Sequence, residues 1–267
     1  MEDRIQLTIE NGVAEVRLNR ADKMNALDPA MFKAIDEAGA RLKADSSVRA
    51  VVLSGEGRAF CAGLDVERMM AAARGESILP FADLGKRTHG IANFAQHIVW
   101  LWRKLPVPVI AAVHGVAFGG GFQLALGADL RYVAPGTRLA VIETNWGLVP
   151  DMAGTQLMRH LAREDVVREL TYTGRIFSAE EALAYGFATR LAADPRAAAI
   201  ATAREIAARS PDAIRAAKRL LNLAVACDAH TGLAAETAEQ KGLLGQPNHI
   251  EAVMANLEKR APNWSNA

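Results

Sequence analysis

Two short runs, Ala50–Leu53 and Val109–Val113, contain no polar residue, and each passes directly into a loop of glycines and other small residues. A strand on a half-exposed sheet alternates apolar and polar side chains. A run without a polar face has to be covered on both sides, so these segments predict strands of a sheet buried between layers. The neighbouring patterns supply the layers. Ile5–Ile9 alternates, Asn11-Gly12 is a turn signal, and Ala14, Val16 and Leu18 resume the alternation, which reads as a β-hairpin. Asp28-Pro29 gives a helix cap and a first-turn proline, followed by Phe32, Ile35, Ala38 and Leu42 at helical spacing.

Further helix leads up to about Lys104, and strand-like segments lie near 129–133 and 139–142. Strands and helices therefore alternate through the middle of the chain, in the α/β manner. Beyond residue 155 the strand signals fade. Ser178 with Glu181 forms a capping box, Gly186 a stop, and Ser210-Pro211 another cap with proline, so the last third reads as helical. Residues 71–90, with Gly75, Pro80 and Gly85, show weak periodicity and predict a mobile surface segment able to serve as a lid. Ile250, Val253, Met254 and Leu257 place an apolar stripe on the last helix, expected to face another subunit.

Composition narrows the function classes. With 31 Lys and Arg against 30 Asp and Glu, the 267-residue chain carries a formal net charge of +1, which offers no electrostatic reason to bind nucleic acid or an acidic membrane surface. Cys61 and Cys227 are too few for a disulfide framework, and no paired ligand spacing suggests zinc. No apolar run approaches the ~20 residues a membrane span needs, and the start lacks an apolar signal segment; the expectation is a cytoplasmic protein.

The chemistry gathers at the two strand-to-loop junctions. Gly119-Gly120-Gly121 follows a strand and opens a helix, so its amides point out of a helix N-terminus toward an anion or oxyanion. A dinucleotide site does not fit: Gly119-x-Gly121 leads to Leu124, and Gly55-x-Gly57 leads to Phe60, where glycine or alanine is required. The second junction, Ala59-Phe60-Cys61-Ala62-Gly63-Leu64-Asp65, also exposes amides beside small residues. One donor from each loop, aimed at one oxygen, is what a thioester enolate requires. Cys61 reads as a packed small thiol, because no base is fixed beside it.

Several ordered motifs together resemble the crotonase, or enoyl-CoA hydratase/isomerase, superfamily. They are LNRADKMNAL (Leu18–Leu27), GRAFCAGLD, HGVAFGGGFQLALGADLRY (His114–Tyr132), ETNWGLVPDMAGTQ (Glu143–Gln156), TGRIFSAEEALAYG (Thr173–Gly186) and the terminal EKRAP. The resemblance spans nearly the whole chain. It implies the crotonase spiral, related to the ClpP-like fold, in which β-β-α units repeat through about residue 190 and residues 191–267 form a helical region for assembly as a trimer or a dimer of trimers. It also implies an oxyanion hole made of the Leu64 and Gly120 N–H groups. Lys23, Ala26, Ala62, Gly63 and Asp65 would lie along the bound acyl-CoA, and Lys259 would reach the CoA of a neighbouring subunit. Coenzyme A is then part of the substrate, and no metal or resident cofactor is implied. The acyl pocket is expected to draw its walls largely from residues 66–100.

At the acid/base positions the chain departs from the hydratases. These carry a glutamate shortly after the glycine triplet and a second one twenty residues on; here the places hold Gln123 and Glu143. Glutamine hydrogen-bonds but carries no proton to exchange at ordinary pH, so the two-glutamate hydration machinery is incomplete. Asp151, eight residues beyond Glu143, is placed as in the dienoyl-CoA isomerases, whose glutamate and aspartate shuttle a proton between separated carbons. As residues alone, Asp151 also reads as a cap for a helix near Gly154. A carboxylate at the end of an apolar strand, by contrast, is costly without a task. The resemblance thus favours a double-bond isomerase. A hydratase in which Gln123 or Asp151 helps to hold the water is the alternative, alongside a thioester-binding protein with little catalysis and other thioester chemistry.

Overall fold

The computed structural model describes residues 4–79 and 83–265. The hairpin forms as β1 (Ile5–Glu10) and β2 (Val13–Leu18), followed by α1 (Pro29–Ala44) and β3 (Ala50–Gly55). Next come α2 (Val66–Ala73), α3 (Phe94–Lys104), β4 (Val109–Val113), β5 (Val116–Phe118) and α4 (Gly120–Leu126). The chain continues through β6 (Leu130–Val133), β7 (Arg138–Ala140), α5 (Gly154–Met158), α6 (Glu164–Thr173), β8 (Ile176–Ser178), α7 (Ala179–Tyr185) and β9 (Arg190–Leu191). Four helices close it: α8 (Pro195–Ala207), α9 (Pro211–Ala224), α10 (Ala229–Leu243) and α11 (Pro247–Leu257).

Two sheets result. The larger runs β1-β2-β3-β4-β6-β9, antiparallel only between β1 and β2, and the smaller runs β5-β7-β8. The chain passes from the larger to the smaller sheet twice, from β4 to β5 and from β6 to β7. Because β3 and β4 are parallel neighbours with Leu53 opposite Ala111, the loops leaving their ends emerge side by side. β8 and β9 were not legible from sequence: at three and two residues they are too short for an alternation to register. The lid expected over 71–90 begins inside α2, and its residues 80–82 lie outside the described ones.

The core has two faces. On one, Phe32, Phe60, Trp102 and Phe122 are fully buried with aliphatic residues of β2–β4. Phe122 meets Phe177 and Phe187 edge-on at 5.5 and 5.4 Å, which ties α4 to β8 and to the turn before β9. On the other face, Ala199, Ala203 and Ala207 of α8 cover Val13, Ala50, Val52, Ile110 and Ala112. Alanine at this spacing lets α8 lie close against the sheet, so the helix directly after residue 190 completes the layered core. α9 is fastened from beneath: Lys218 Nζ, buried, donates to the carbonyls of Trp102 and Val107 and to Asp129 Oδ2 at 3.1, 2.8 and 2.8 Å. Among the described residues no helix is long and apolar enough to cross a membrane.

Asn25 holds the first site loop in place. It adopts left-handed φ (+56°) and is fully buried; its Oδ1 accepts from the Arg20 N–H at 2.8 Å. Its Nδ2 donates to the carbonyls of Glu56 and Ala59 at 2.9 and 2.8 Å. Asn25→Ala leaves these backbone groups unpaired and puts a Cβ-only residue in αL, so a loss of about 2–5 kcal/mol is expected in urea unfolding. Asn25→Asp, which keeps the acceptor but turns a carboxylate oxygen toward these two carbonyls in a fully buried site, should cost at least as much.

Candidate active site

The loop after β3 and the start of α4 meet through their backbones. Cys61 N–H donates to Val116 C=O and Phe118 N–H to Cys61 C=O, both at 3.1 Å, a parallel bridge that sews the loop to β5. This approach leaves no room for a side chain at Gly121, whose added Cβ would stand 2.2 Å from the Cys61 carbonyl oxygen. Gly63 is equally constrained: it sits at φ +92°, and an added Cβ would lie 2.6 Å from Phe118 O. That same Cβ position is only 3.6 Å from Gly120 N, which measures how close the two loops come.

The bridge on the other side of the loop decides which amides are spare. Leu27 N–H donates to Gly63 C=O at 2.7 Å, and Asp65 N–H donates to Leu27 C=O at 3.1 Å. In such a parallel bridge the residue between, Leu64, turns its own N–H away from Leu27. Gly120 is the first residue of α4, and the first bond of that helix runs from Gln123 N–H to Gly119 C=O, so the Gly120 N–H has no partner inside the helix. Leu64 and Gly120 both line one cavity of about 290 Å³.

The cavity is an apolar chamber with two acids. Phe32, Met69, Leu79, Ala95, Phe118 and Met152 contribute to its walls, and Glu143 and Asp151 are the charged residues among those lining it. The wall expected from 66–100 is present, but a larger share comes from 118–152, including the exposed Trp146 and Val149 at the rim. Those residues follow β7 in a 3₁₀ turn, Glu143–Trp146, and the chain after it; neither has a periodicity that would have announced a wall.

Glu143 opens that turn, half-buried, with its carboxyl under the α4 N-terminus. Oε1 accepts from Gln123 Nε2 at 2.5 Å, while Oε2 is buried with no hydrogen-bond partner among the described residues. Burial, with the Asp151 charge nearby, holds the Glu143 carboxyl above the ordinary value, against the hydrogen bond from Gln123. Asp151 retains exposed surface, but that surface faces the mouth of an apolar chamber, and desolvation raises its carboxyl as well. Asp151 caps no helix: α5 begins after Ala153 without a side-chain cap.

Gln123 stands behind Glu143 rather than on the cavity wall. Besides its bond to Glu143, its Oε1 accepts from the N–H groups of Met152 and Gly154, both at 2.9 Å, and the residue is 1% exposed. One carboxamide thus ties Glu143 to the loop that carries Asp151. The residues expected along bound CoA are dispersed. Ala62 and Gly63 line the cavity, whereas Ala26 is buried and is not among its lining residues. Lys23, half-exposed, pairs with Glu67 at 3.6 Å. Asp65 is buried, caps α2 through the Glu67 N–H at 2.8 Å and pairs with Arg20, so its contacts are those of a loop anchor. Lys259 follows α11 in left-handed conformation and is not among the cavity residues. Cys61 is buried, donates to the Asn25 carbonyl, and has its thiol pushed up to about 12 by desolvation, so it stays protonated.

The two-sheet architecture and the paired free amides above an apolar chamber define a crotonase-type fold. A sequence model of the Enoyl-CoA hydratase/isomerase family matches residues 8–267, and the chain belongs to that family. It is 31% identical over 261 residues to the mitochondrial methylglutaconyl-CoA hydratase of Mus musculus, covering 95% of this chain and 79% of that protein. It is 32% identical over 265 residues to the mitochondrial Delta(3,5)-Delta(2,4)-dienoyl-CoA isomerase of the same species, covering 97% and 80%. The crystal structure of an enoyl-CoA hydratase from Bacillus anthracis superposes with a TM-score of 0.88 at 29% identity, over 99% of this chain and 100% of that one.

The raised Glu143 carboxyl has a stability consequence. A carboxyl with a higher pKa folded than unfolded favours its protonated form in the fold, so stability is lost as pH rises through the interval between the two values. Glu143→Gln removes that loss while keeping an acceptor for Gln123. The variant should therefore unfold at higher urea than the parent at pH 7, with the difference vanishing below the ordinary carboxylate range. Asp151→Asn removes the like charge and should lower the Glu143 midpoint in a carbon-13 carboxyl titration.

Proposed function

We propose that the protein is an acyl-CoA isomerase that shifts the double bond of an enoyl- or dienoyl-CoA. The observation that carries this reading is the Glu143 carboxyl, held by one oxygen and unpartnered at the other, opening onto an apolar chamber beside two spare amides. The thioester carbonyl oxygen would accept from Leu64 and Gly120 N–H. Removal of a proton from the carbon next to the carbonyl sends the C–H electron pair toward that oxygen, and the two amides stabilise the resulting dienolate. Return of a proton to the far end of the conjugated system re-forms the carbonyl and leaves the double bond moved. Glu143 and Asp151 exchange these protons; their raised pKa values bring them closer to the pH at which acid and base forms are both available.

Gln123 supports isomerisation over hydration. Its carboxamide oxygen already accepts two backbone N–H groups and its nitrogen donates to Glu143, so it offers little to an added water. A hydratase would then need Glu143 and Asp151 to hold that water between them, and the similarity to a hydratase and an isomerase at nearly equal identity favours neither. Lys23 and Ala26 along the CoA, Lys259 against a neighbour's CoA, and assembly as a trimer or a pair of trimers complete the proposal. The exposed Ile250, Val253, Met254 and Leu257 on α11 support that assembly.

The test is incubation with 2-enoyl-, 3-enoyl- and 3,5-dienoyl-CoA, following mass and ultraviolet absorbance: isomerisation leaves the mass unchanged, whereas hydration adds a water. Glu143→Gln should lower turnover by about 10²- to 10⁴-fold while CoA-ester binding survives. Gly120→Pro, which removes one of the two amides, should cost at least about 10²-fold. Asp151→Asn should suppress 3,5-dienoyl-CoA isomerisation far more than exchange of the α-proton with solvent deuterium. Strong hydration in the parent that Asp151→Asn leaves intact would overturn the isomerase assignment.

A further inference from the structure

Glu143 is held at its carboxyl by Gln123, but its backbone belongs to a 3₁₀ turn of 4 residues, Glu143–Trp146. The bonds within and just after that turn run from Asn145 N–H to Ile142 C=O, from Gly147 N–H to Thr144 C=O and from Leu148 N–H to Glu143 C=O, at 3.1, 3.1 and 3.0 Å. They fix its shape and leave its place in the molecule open, since every partner is a near neighbour in sequence. A buried carboxyl with an unpartnered oxygen pulls outward: its charged form gains by moving to water, so a turn without outside ties would carry Glu143 away from the spare amides.

The ties come from the C-terminus of α6. The last carbonyls of a helix have no donor within it and take one from elsewhere. Gly174 ends α6 in left-handed conformation, φ +57°, and its N–H donates to Leu170 C=O at 3.1 Å. The carbonyls of Thr171 and Gly174 take their donors from the Glu143 turn: Thr144 Oγ1 donates to Thr171 C=O at 2.8 Å, and Asn145 Nδ2 to Gly174 C=O at 3.1 Å. The contact is close, because a Cβ added to Gly174 would stand 2.3 Å from Asn145 Oδ1 and 2.7 Å from its Cγ. α6 is itself packed into the core by Val166 and Leu170, both buried. Thr144 and Asn145 are not among the residues lining the chamber, so their contacts are with the scaffold and not with an acyl group.

We infer that Thr144 and Asn145 are positioning residues for Glu143: as two donors to the end of α6, they keep the turn, and the carboxyl at its first residue, in register with the Leu64 and Gly120 amides. The inference rests on Glu143 as the proton carrier proposed above. Gln123 and the α6 end then act on different parts of one residue, the first on the carboxyl and the second on the backbone that carries it. Misplacing a reacting group by ~1 Å costs about 10²-fold in rate, so two ordinary hydrogen bonds remote from the substrate bear on turnover. The partners lie 27 and 29 residues apart along the chain, in a short turn and at a helix end, which is why the sequence alone shows no link between them.

The test uses Thr144→Val, which keeps the shape of the side chain and removes its donor, Asn145→Ala, and the double variant, with Thr144→Ser as the form that retains the hydroxyl. With 3,5-dienoyl-CoA the double variant should lose roughly 10- to 10²-fold in kcat with little change in KM, and Thr144→Ser should stay near the parent. A readout independent of turnover is the carbon-13 titration of the Glu143 carboxyl. Its midpoint should fall toward the ordinary carboxylate range in the double variant, as the group reaches water, and stay raised in Thr144→Ser. Should the double variant fail to fold, Thr144→Val alone carries both measurements. A melting temperature that drops while the Glu143 midpoint and kcat keep the parent's values would mean a purely structural role and overturn the inference. A lowered midpoint, in a protein whose parent form isomerises none of the enoyl-CoAs, would instead support the positioning and overturn the isomerase reading.

Discussion

The close backbone contact between Cys61 and the β5–α4 junction is the constraint from which the rest of the site follows. Two hydrogen bonds at 3.1 Å draw the loops together, and Gly121 keeps a side chain out of the 2.2 Å gap that a Cβ would have to occupy. Without that approach, the Leu64 and Gly120 amides would belong to two separate turns. With it, they border one cavity, each excluded from ordinary pairing for its own reason, one by the phase of a strand bridge and the other by its place at the start of a helix. Donors fixed in this way need no rearrangement as charge develops on a bound oxygen, which is the basis of oxyanion stabilisation.

The acids depend on the same scaffold. A carboxyl facing an apolar chamber raises the free energy of its own charged form, and the fold tolerates this because Gln123 fixes Glu143 and the 151–154 turn with one buried carboxamide. A second glutamate at 123 would add a third acid to the cluster and lose the donor to Glu143. Glutamine there keeps the geometry and removes the charge, so the acid pair becomes Glu143 with Asp151. Stability and reactivity pull in opposite directions at this point: the unpartnered Glu143 oxygen that weakens the fold at neutral pH is the one free to take a proton.

Local chemistry in the sequence determined a large part of this. The apolar runs at 50–53 and 109–113 became central strands because nothing in them tolerates water. Asp28-Pro29, Ser178 with Glu181, Gly186 and Ser210-Pro211 set helix ends because capping depends on neighbours within a few residues. The motifs around Gly63, Gly120 and Glu143 marked where chemistry would sit, since glycine in a strand-to-helix turn and a carboxylate after an apolar strand are unusual enough to signal on their own. Tertiary structure decided what depends on distance between remote segments. It turned Gln123 away from the cavity, gave Asp65 to Arg20, buried Lys218 against Asp129, and brought half the chamber wall from residues 118–152. Hydrogen-bond partners and desolvation are properties of neighbours in space, and for these residues the neighbours lie tens of positions away along the chain.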